Sequence, residues 1–388
     1  MTPSIVIIIP YGFNDRLMNF PEFTLGRLLA RNGWKVTGIA RKEAGEESEQ
    51  DTHGIHVYRY GGSIGGALRV LFLCIAARPD VIHVHMLRNN RVGAVSATLA
   101  RLFGITLVFS EAGLLHDHYL VEDRDDPLGK PILYGKVARK FSIRGFRNYF
   151  FHFALTHADT AVFYSRHNIA IARALGIQDV RYIPLIVDCA RLLSEAPTRD
   201  KLATLPSEAF ALFIGQMKAR KGWDILLRSV PLIERTVLPA FVFVSSSSRS
   251  ETSDFVALGE ELSVRERVRY VGSPSSADLR RILQKCALVV VPSRYEGFGL
   301  VPVEAFEAER PVVASGVAAL TDYLVHGDNA CLVEPKDPEQ LAKGIMDVMR
   351  DPALRERLVE GGRKTLAAMK SDSAAGAWLD FYRSMLRR

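Results

Sequence analysis

The chain has 388 residues, 48% of them hydrophobic, 24% charged and 9% aromatic. That usage excludes a disordered chain, a collagen-like fibre and a small disulfide scaffold, and the length suits two domains with sizeable cores. The formal net charge is +7, with 22 basic and 17 acidic residues up to Ala190 against 28 and 26 beyond it. A duplex-binding protein would carry a denser basic footprint, so nucleic acid is not expected as a partner.

The four cysteines, Cys74, Cys189, Cys286 and Cys331, lie far apart with no C-x-x-C. They predict buried apolar fillers in a reducing compartment and no metal site. SIVIIIP follows Met1-Thr2-Pro3 without a basic leader or a cleavage site, so it reads as a first strand and not as a signal peptide. The apolar run Val70 to Ala77, bounded by Arg69 and Arg78, is too short for a bilayer span of about 20 residues. A cytoplasmic protein is expected, or one lying on the inner face of the plasma membrane.

Ile5 to Ile9 is an unbroken apolar run ending at Pro10-Tyr11-Gly12, the pattern of a strand buried on both faces. A helical stretch from about Pro21 to Asn32, closed by Gly33, leads to WKVTGIA as a second strand. IHVYRY is a third strand, ALRVLFLCIAA a helix and DVIHVHM a further buried strand. GGSIGG, Gly61 to Gly66, lacks the ending of a phosphate loop and the spacing of a dinucleotide fingerprint, and reads as a flexible connection. His83 and His85 share one strand face, and with no third ligand in sight they read as core or cleft-edge histidines. VGAVSATLARLFG is an amphipathic helix stopped by Gly104, with ITLVFS, ADTAVFYS and RYIPLIVD as later strands.

Ser194 to Ser207, with Pro197 and Pro206, reads as a linker, after which the pattern restarts. AFALFIG opens a new strand, a helix runs from Trp223 to Glu234, and FVFVSSS, RVRYVG, ALVVVP and PVVAS are strands separated by helices. This alternation predicts an α/β protein of two Rossmann-like, doubly wound parallel sheets facing across a cleft. Ligands of such sheets bind beyond the carboxyl ends of the strands. The boundaries read as 1–193 and 208–370, with a last helix in 371–388 placed to cross back to the first domain.

The most informative stretch is PSRYEGFGLVPVEAFEAERPVVAS, Pro292 to Ser315. A buried strand ends at Pro292, a loop carries Glu296, Gly297 and Gly299, and a helix starts near Leu300 with Pro302 in its first turn. Glycines let the backbone approach a ligand, and carboxylates at Glu296 and Glu304 suit paired hydroxyl groups. On residue types alone, the same stretch is also an ordinary strand-to-helix turn with one solvated and one capping glutamate.

PSRYEGFGLVPVEAF resembles the E-x7-E signature of retaining glycosyltransferases with the GT-B fold, in particular family 4. IGQMKARKGWDILL, RVRYVGSPSSADLRRIL and HGDNACLVEPKDPEQLAKGI follow the family in order, while the first half matches more loosely through DVIHVHM and IPLIVD. The resemblance implies that Glu296 binds donor-sugar hydroxyls and that the amides of Gly297, Phe298, Gly299 and Leu300 hold the sugar and distal phosphate. It gives Glu304 the nucleotide ribose, Lys221 the pyrophosphate, Gly272 and Ser273 the nucleobase, and Gly12 a place facing the diphosphate. Gly215 precedes Gln216, which stands where the family usually has Arg; Arg220 is the candidate for that second charge.

Other positions also depart from the family. Gly12 is flanked by Tyr11 and Phe13 in place of a second glycine. Ala112 occupies a usual histidine position, leaving Glu111 and His116 as the nearby candidates on the acceptor side. FVFVSSSSRS replaces a glycine-rich strand end, and Glu309 stands where glycine is usual. Asp123-Arg124-Asp125 is formally a D-x-D metal motif, but no buried strand precedes it and it reads as a solvated loop.

Lys130 to Phe153 carries Lys130, Lys136, Arg139, Lys140, Arg144 and Arg147, no acid, and seven aromatic residues. The segment suits either an anionic membrane surface or a core packing with one solvated face. The expectation is a metal-independent hexosyltransferase without a bound cofactor. It would move a sugar from a nucleotide-diphosphate donor to a glycan or lipid-linked acceptor in surface polysaccharide or glycolipid synthesis. The alternatives are a GT-B nucleotide-sugar epimerase and a catalytically idle partner that binds a sugar nucleotide or glycan.

Overall fold

A computed structural model describes residues 2–9, 21–42, 45–85, 91–111, 153–183, 185–186, 205–247, 249–370 and 372–386. The chain forms two compact units. The first ends at Asp188 and takes the chain back from Met369, while the second runs from Cys189 to Ala368.

The first unit contains β1 (Ser4–Ile8), α1 (Pro21–Arg31), β2 (Lys35–Arg41), β3 (Glu49–Thr52), β4 (Ile55–Tyr60), α2 (Ser63–Ala76) and β5 (Val81–His85). It continues with α3 (Arg91–Phe103), β6 (Thr106–Glu111), β7 (Thr160–Phe163), α4 (Arg166–Ala174) and β8 (Val180–Tyr182). Its sheet has the order β3-β4-β2-β1-β5-β6-β7-β8. Every pairing is parallel except β3 with β4. Residues of β5 and β7 are buried throughout, as strands covered by helices on both faces must be. The edge strand β3, EQDT, is polar and exposed, which blunts an open row of backbone donors.

The second unit contains β9 (Phe210–Ile214), α5 (Trp223–Ser229), β10 (Ala240–Val244), α6 (Arg249–Glu261), β11 (Val268–Val271), α7 (Ser276–Lys285) and β12 (Leu288–Val291). α8 (Val301–Glu307), β13 (Val312–Ser315), β14 (Cys331–Val333), α9 (Pro338–Arg350) and α10 (Pro352–Lys370) complete it. Its all-parallel sheet has the order β11-β10-β9-β12-β13-β14. Chain order reverses between β9 and β12, so the loops leaving those two strands flank the sheet's switch point, where ligands of open α/β sheets bind.

The fold matches the expected class, with local differences. GGSIGG is not a flexible connection throughout: α2 starts at Ser63, and Gly66 lies in its first turns. A Cβ on Gly66 would meet Val92 at 2.8 Å and Tyr60 at 3.0 Å, so that glycine serves close packing. The expected helix from Trp223 to Glu234 stops at Ser229 and passes through a 3-10 turn, Val230–Leu232, that holds Pro231. β3 and β14 had no expected strand; one is polar and the other is three residues long. Glu309 sits in left-handed backbone, φ +55°, which is why glycine suits that position. Cys74, Cys286 and Cys331 are buried thiols, and Cys189 lies outside the described residues. Among the described residues no helix is long and apolar enough to cross a membrane.

The last helix, α11 (Asp372–Met385), belongs to the first unit. Trp378 and Tyr382 are buried there, and the Tyr382 hydroxyl lies 2.7 Å from His83 Nδ1. His83 Nε2 and His85 Nδ1 in turn lie 2.7 and 2.6 Å from Ser110 Oγ. Tyr382, His83, Ser110 and His85 thus form one continuous chain of hydrogen-bonding groups inside the unit. Burial, reinforced by His85, pushes His83 down to about 3. The two histidines are therefore core residues.

Because His83 binds its proton more readily unfolded than folded, it destabilises the fold as pH falls below its ordinary 6.5. Between pH 6.5 and 5, its contribution should reduce unfolding free energy by about 2 kcal/mol. Urea unfolding of wild type and His83→Asn across that range checks this. The wild-type slope should be steeper, and equal slopes would remove His83 as the acid-sensitive group.

Candidate functional site

The loop leaving β9 and the loop leaving β12 meet around one carboxylate. Glu296 is 4% exposed, and its Oε1 lies 2.5 Å from Lys221 Nζ. Ser293 Oγ donates to the same oxygen at 2.8 Å, and Arg220 Nη1 stands 3.7 Å from Oε2. A buried carboxylate is tolerable only when paired and hydrogen-bonded, and Glu296 meets both conditions. Two cations on one carboxylate leave a surplus positive charge at the sheet's switch point. That surplus is suited to an anionic ligand.

The cations owe their position to a tight turn. Lys218 leads into the 3-10 turn Ala219–Lys221, which ends at Gly222 with φ +67°. A Cβ on Gly222 would lie 1.8 Å from the Pro292 carbonyl oxygen, so only glycine lets this turn press against the end of β12. Arg294 fastens the turn from the other side. Its guanidinium grips both oxygens of Asp224, each at 2.7 Å, and also donates to the Ala219 carbonyl. Its backbone N–H donates to the Arg220 carbonyl at 2.8 Å. Such a planar fork fixes geometry as well as charge.

The loop that follows Glu296 is equally shaped. Gly299 has φ +85°, and a Cβ there would meet Leu320 at 2.5 Å. Tyr323 donates its hydroxyl to the Gly299 carbonyl and stacks on Phe298 at 5.0 Å. Burial, with the Glu296 charge adding to it, pushes the Tyr323 phenol well above its ordinary value, so it stays a donor. Gly215 packs against Lys221, since a Cβ on it would lie 3.5 Å from Lys221 Cγ. After β10, the Ser247 hydroxyl accepts the Met217 N–H at 2.7 Å and so holds the stretch that follows Gly215.

The structure thus brings together Gly215, Arg220, Lys221, Glu296, Gly297, Phe298 and Gly299. Leu300 caps α8 and Glu304 lies half-buried in its first turn. Gln216 is exposed beside this cluster. Gly272 and exposed Ser273 follow β11, at the same carboxyl edge but two strand positions from β9. In the first unit Glu111 is buried at the end of β6. Gly12, Ala112, His116, Asp123, Asp125 and the basic aromatic residues Lys130 to Arg147 lie outside the described residues, as does most of the expected linker. Sequence reasoning missed Ser293, Arg294, Asp224, Ser247 and Tyr323. Only Ser293, three residues before Glu296, carried a spacing that pointed to its partner.

Residues 195–365 match the family described as glycosyl transferases group 1, and residues 24–186 match a glycosyl transferase 4-like domain. An uncharacterized glycosyltransferase of Methanocaldococcus jannaschii is 32% identical over 43% of the chain and 42% of its own length. A D-inositol 3-phosphate glycosyltransferase of Nocardioides is 32% identical over 48% and 43%. The lipopolysaccharide core biosynthesis glycosyltransferase LpsD of Rhizobium meliloti is 31% identical over 58% and 64%. The chain therefore spans about half the length of these relatives. Among solved structures, a sucrose-phosphate synthase of Thermosynechococcus elongatus covers 99% of both chains with a TM-score of 0.79 at 22% identity. The HepE protein of Anabaena, in complex with UDP, covers 100% of both at 0.72 and 16%. These likenesses carry the fold.

Gly222→Ala should destabilise the second unit by roughly 1–3 kcal/mol, since it forces both φ and the Pro292 contact. Urea unfolding measures the loss, and an unchanged midpoint would show that the turn does not press on β12.

Proposed function

We propose that this chain, which belongs with the GT-B glycosyltransferases in both of its units, is a retaining enzyme moving a sugar from a nucleoside diphosphate to a glycan or lipid-linked acceptor. The observation that carries the reading is the cluster of Lys221 and Arg220 on buried Glu296. Breaking a sugar–phosphate bond leaves negative charge on the departing diphosphate. Fixed cations that meet this charge as it develops lower the barrier without a metal. Arg220 stands close enough to Glu296 to supply the second charge that Gln216 lacks.

In the free protein Lys221 neutralises Glu296. A donor would draw the Lys221 ammonium onto its diphosphate and free the Glu296 oxygens for sugar hydroxyls, with Ser293 keeping the carboxylate in place. Glu304 takes the ribose hydroxyls, and Gly272 and Ser273 take the base. Glu111 and His116 serve the acceptor. Retention follows if the acceptor enters on the face the diphosphate leaves, with the leaving oxygen taking the acceptor's proton. The lipopolysaccharide core biosynthesis role of the Rhizobium relative supports a setting in surface polysaccharide or glycolipid synthesis.

A panel of nucleotide sugars, with release of diphosphate followed in excess chelator, tests the reading. Turnover of at least one donor should persist; abolition by chelator with rescue by manganese would promote Asp123 and Asp125. Binding without turnover would favour the idle-partner alternative.

Kinetics of two variants then assign the glutamates. Glu304→Ala should lose about 10- to 150-fold in donor affinity, the value of one or two hydrogen bonds to a charged acceptor. Glu296→Ala should lower kcat more than it raises KM, because its contact strengthens in the transition state. The opposite split would reverse the two roles.

A further inference from the structure

Tyr323 stands in the turn that follows β13 and meets the loop after β12 with two different parts of one side chain. Its ring stacks on Phe298, with centroids 5.0 Å apart and planes 18° from parallel. Its hydroxyl donates to the Gly299 carbonyl. The turn that carries it is tightly made. Ala319 sits in left-handed backbone, φ +72°, Leu320 lies where a Cβ on Gly299 would fall, and the Tyr323 N–H returns to the Leu320 carbonyl at 3.1 Å. Buried Asn329 anchors the same turn to α10. Its Nδ2 donates to the Tyr323 carbonyl at 2.8 Å and to Thr365 Oγ1 at 2.9 Å, and its Oδ1 accepts the Val325 N–H at 2.7 Å.

The ring fills space, whereas the hydroxyl sets a direction. The Gly299–Leu300 peptide is trans, so its C=O and N–H point opposite ways. With the carbonyl taken by Tyr323, the Leu300 N–H is directed away from that turn, and it meets no acceptor among the described residues. Gly299, at φ +85°, has the backbone freedom to let the peptide swing and no side chain to stop it. Gly297 and Phe298 are buried while Gly299 and Leu300 are half-buried, so this is the peptide at which the loop comes to the surface. Glu296 lies alongside, its Cγ 3.6 Å from the place of a Gly299 Cβ.

We propose that Tyr323 is a positioning residue for the donor's distal phosphate: by fixing the Gly299 carbonyl it aims the Leu300 N–H at a phosphate oxygen. The inference rests on the nucleoside-diphosphate reading of the site. A backbone N–H carries no net charge and has no reach of its own, so it is useful to an anion only when it is aimed beforehand. A peptide left to rotate at Gly299 would give its hydrogen bond to water instead. Held in place, the same N–H also meets the charge that grows on the distal phosphate as the sugar leaves. Tyr323 touches neither sugar nor phosphate in this role and acts through Gly299.

Calorimetric titration with nucleoside monophosphates and diphosphates tests it, using whichever of uridine, adenosine and guanosine binds wild type most tightly. A monophosphate lacks the distal phosphate, so the ratio of the two affinities separates the Leu300 contact from general damage to the site. Tyr323→Phe keeps the ring and removes only the hydroxyl. It should lose about tenfold in diphosphate affinity, near the lower value of one hydrogen bond to a charged group, and keep its monophosphate affinity. Three results overturn the proposal. If Tyr323→Phe binds both ligands as wild type does and only Tyr323→Leu loses the diphosphate, the role belongs to the ring. An equal fall in both affinities for Tyr323→Phe would make the hydroxyl a support of the fold. A wild type that binds diphosphate no more tightly than monophosphate would remove the donor reading itself, an outcome visible before any variant is made.

Discussion

The ion pair between Lys221 and Glu296 is the constraint around which the second unit is arranged. Glu296 is buried and the Lys221 side chain is only 15% exposed, and removing a charge from water without a partner costs several kcal/mol. The carboxylate must therefore be met from the β9 side, and the β9 loop must reach it. Gly222 allows the approach, Arg294 and Asp224 lock the turn, and Ser293 holds the carboxylate from below. Each is a consequence of placing opposite charges where two parallel strands diverge. The same arrangement makes the site responsive. On the proposed reading, a donor diphosphate would draw the cations from Glu296 and leave the carboxylate's lone pairs available to the sugar.

The first unit meets its own internal polarity differently. His83 and His85 stand in a strand buried on both faces, where charge has no partner. Burial keeps His83 neutral; the two rings share one serine, and His83 also meets the hydroxyl of Tyr382, a residue almost 300 positions away. That link shows why the chain's last helix is part of this unit: α11 supplies both the hydroxyl that meets His83 Nδ1 and the Trp378 ring that stacks on His83.

Much of this was legible in the sequence. Unbroken apolar runs such as SIVII and LVVV announce strands covered on both faces, and their alternation with helices gives the parallel sheets. The EGFG stretch drew attention through its resemblance to the E-x7-E signature, since on residue types alone it also reads as an ordinary strand-to-helix turn. What escaped were features set by tertiary contact. Asp224 and Arg294 are 70 residues apart, and no local pattern couples them. GGSIGG, Gly61 to Gly66, read as a connection because it matched no phosphate-binding pattern, yet α2 starts within it and Gly66 packs against Val92. Strand β3 escaped because EQDT has no apolar alternation; it exists through its pairing with β4.

Calorimetric titration of a nucleoside diphosphate into wild type, Glu296→Ala and Lys221→Ala tests the competition within the ion pair most directly. A diphosphate carries no sugar, so it gains from Lys221 and must compete with Glu296 for it. The account predicts that Glu296→Ala binds at least as tightly as wild type while Lys221→Ala loses tenfold or more. Loss of binding in Glu296→Ala with retention in Lys221→Ala would contradict it.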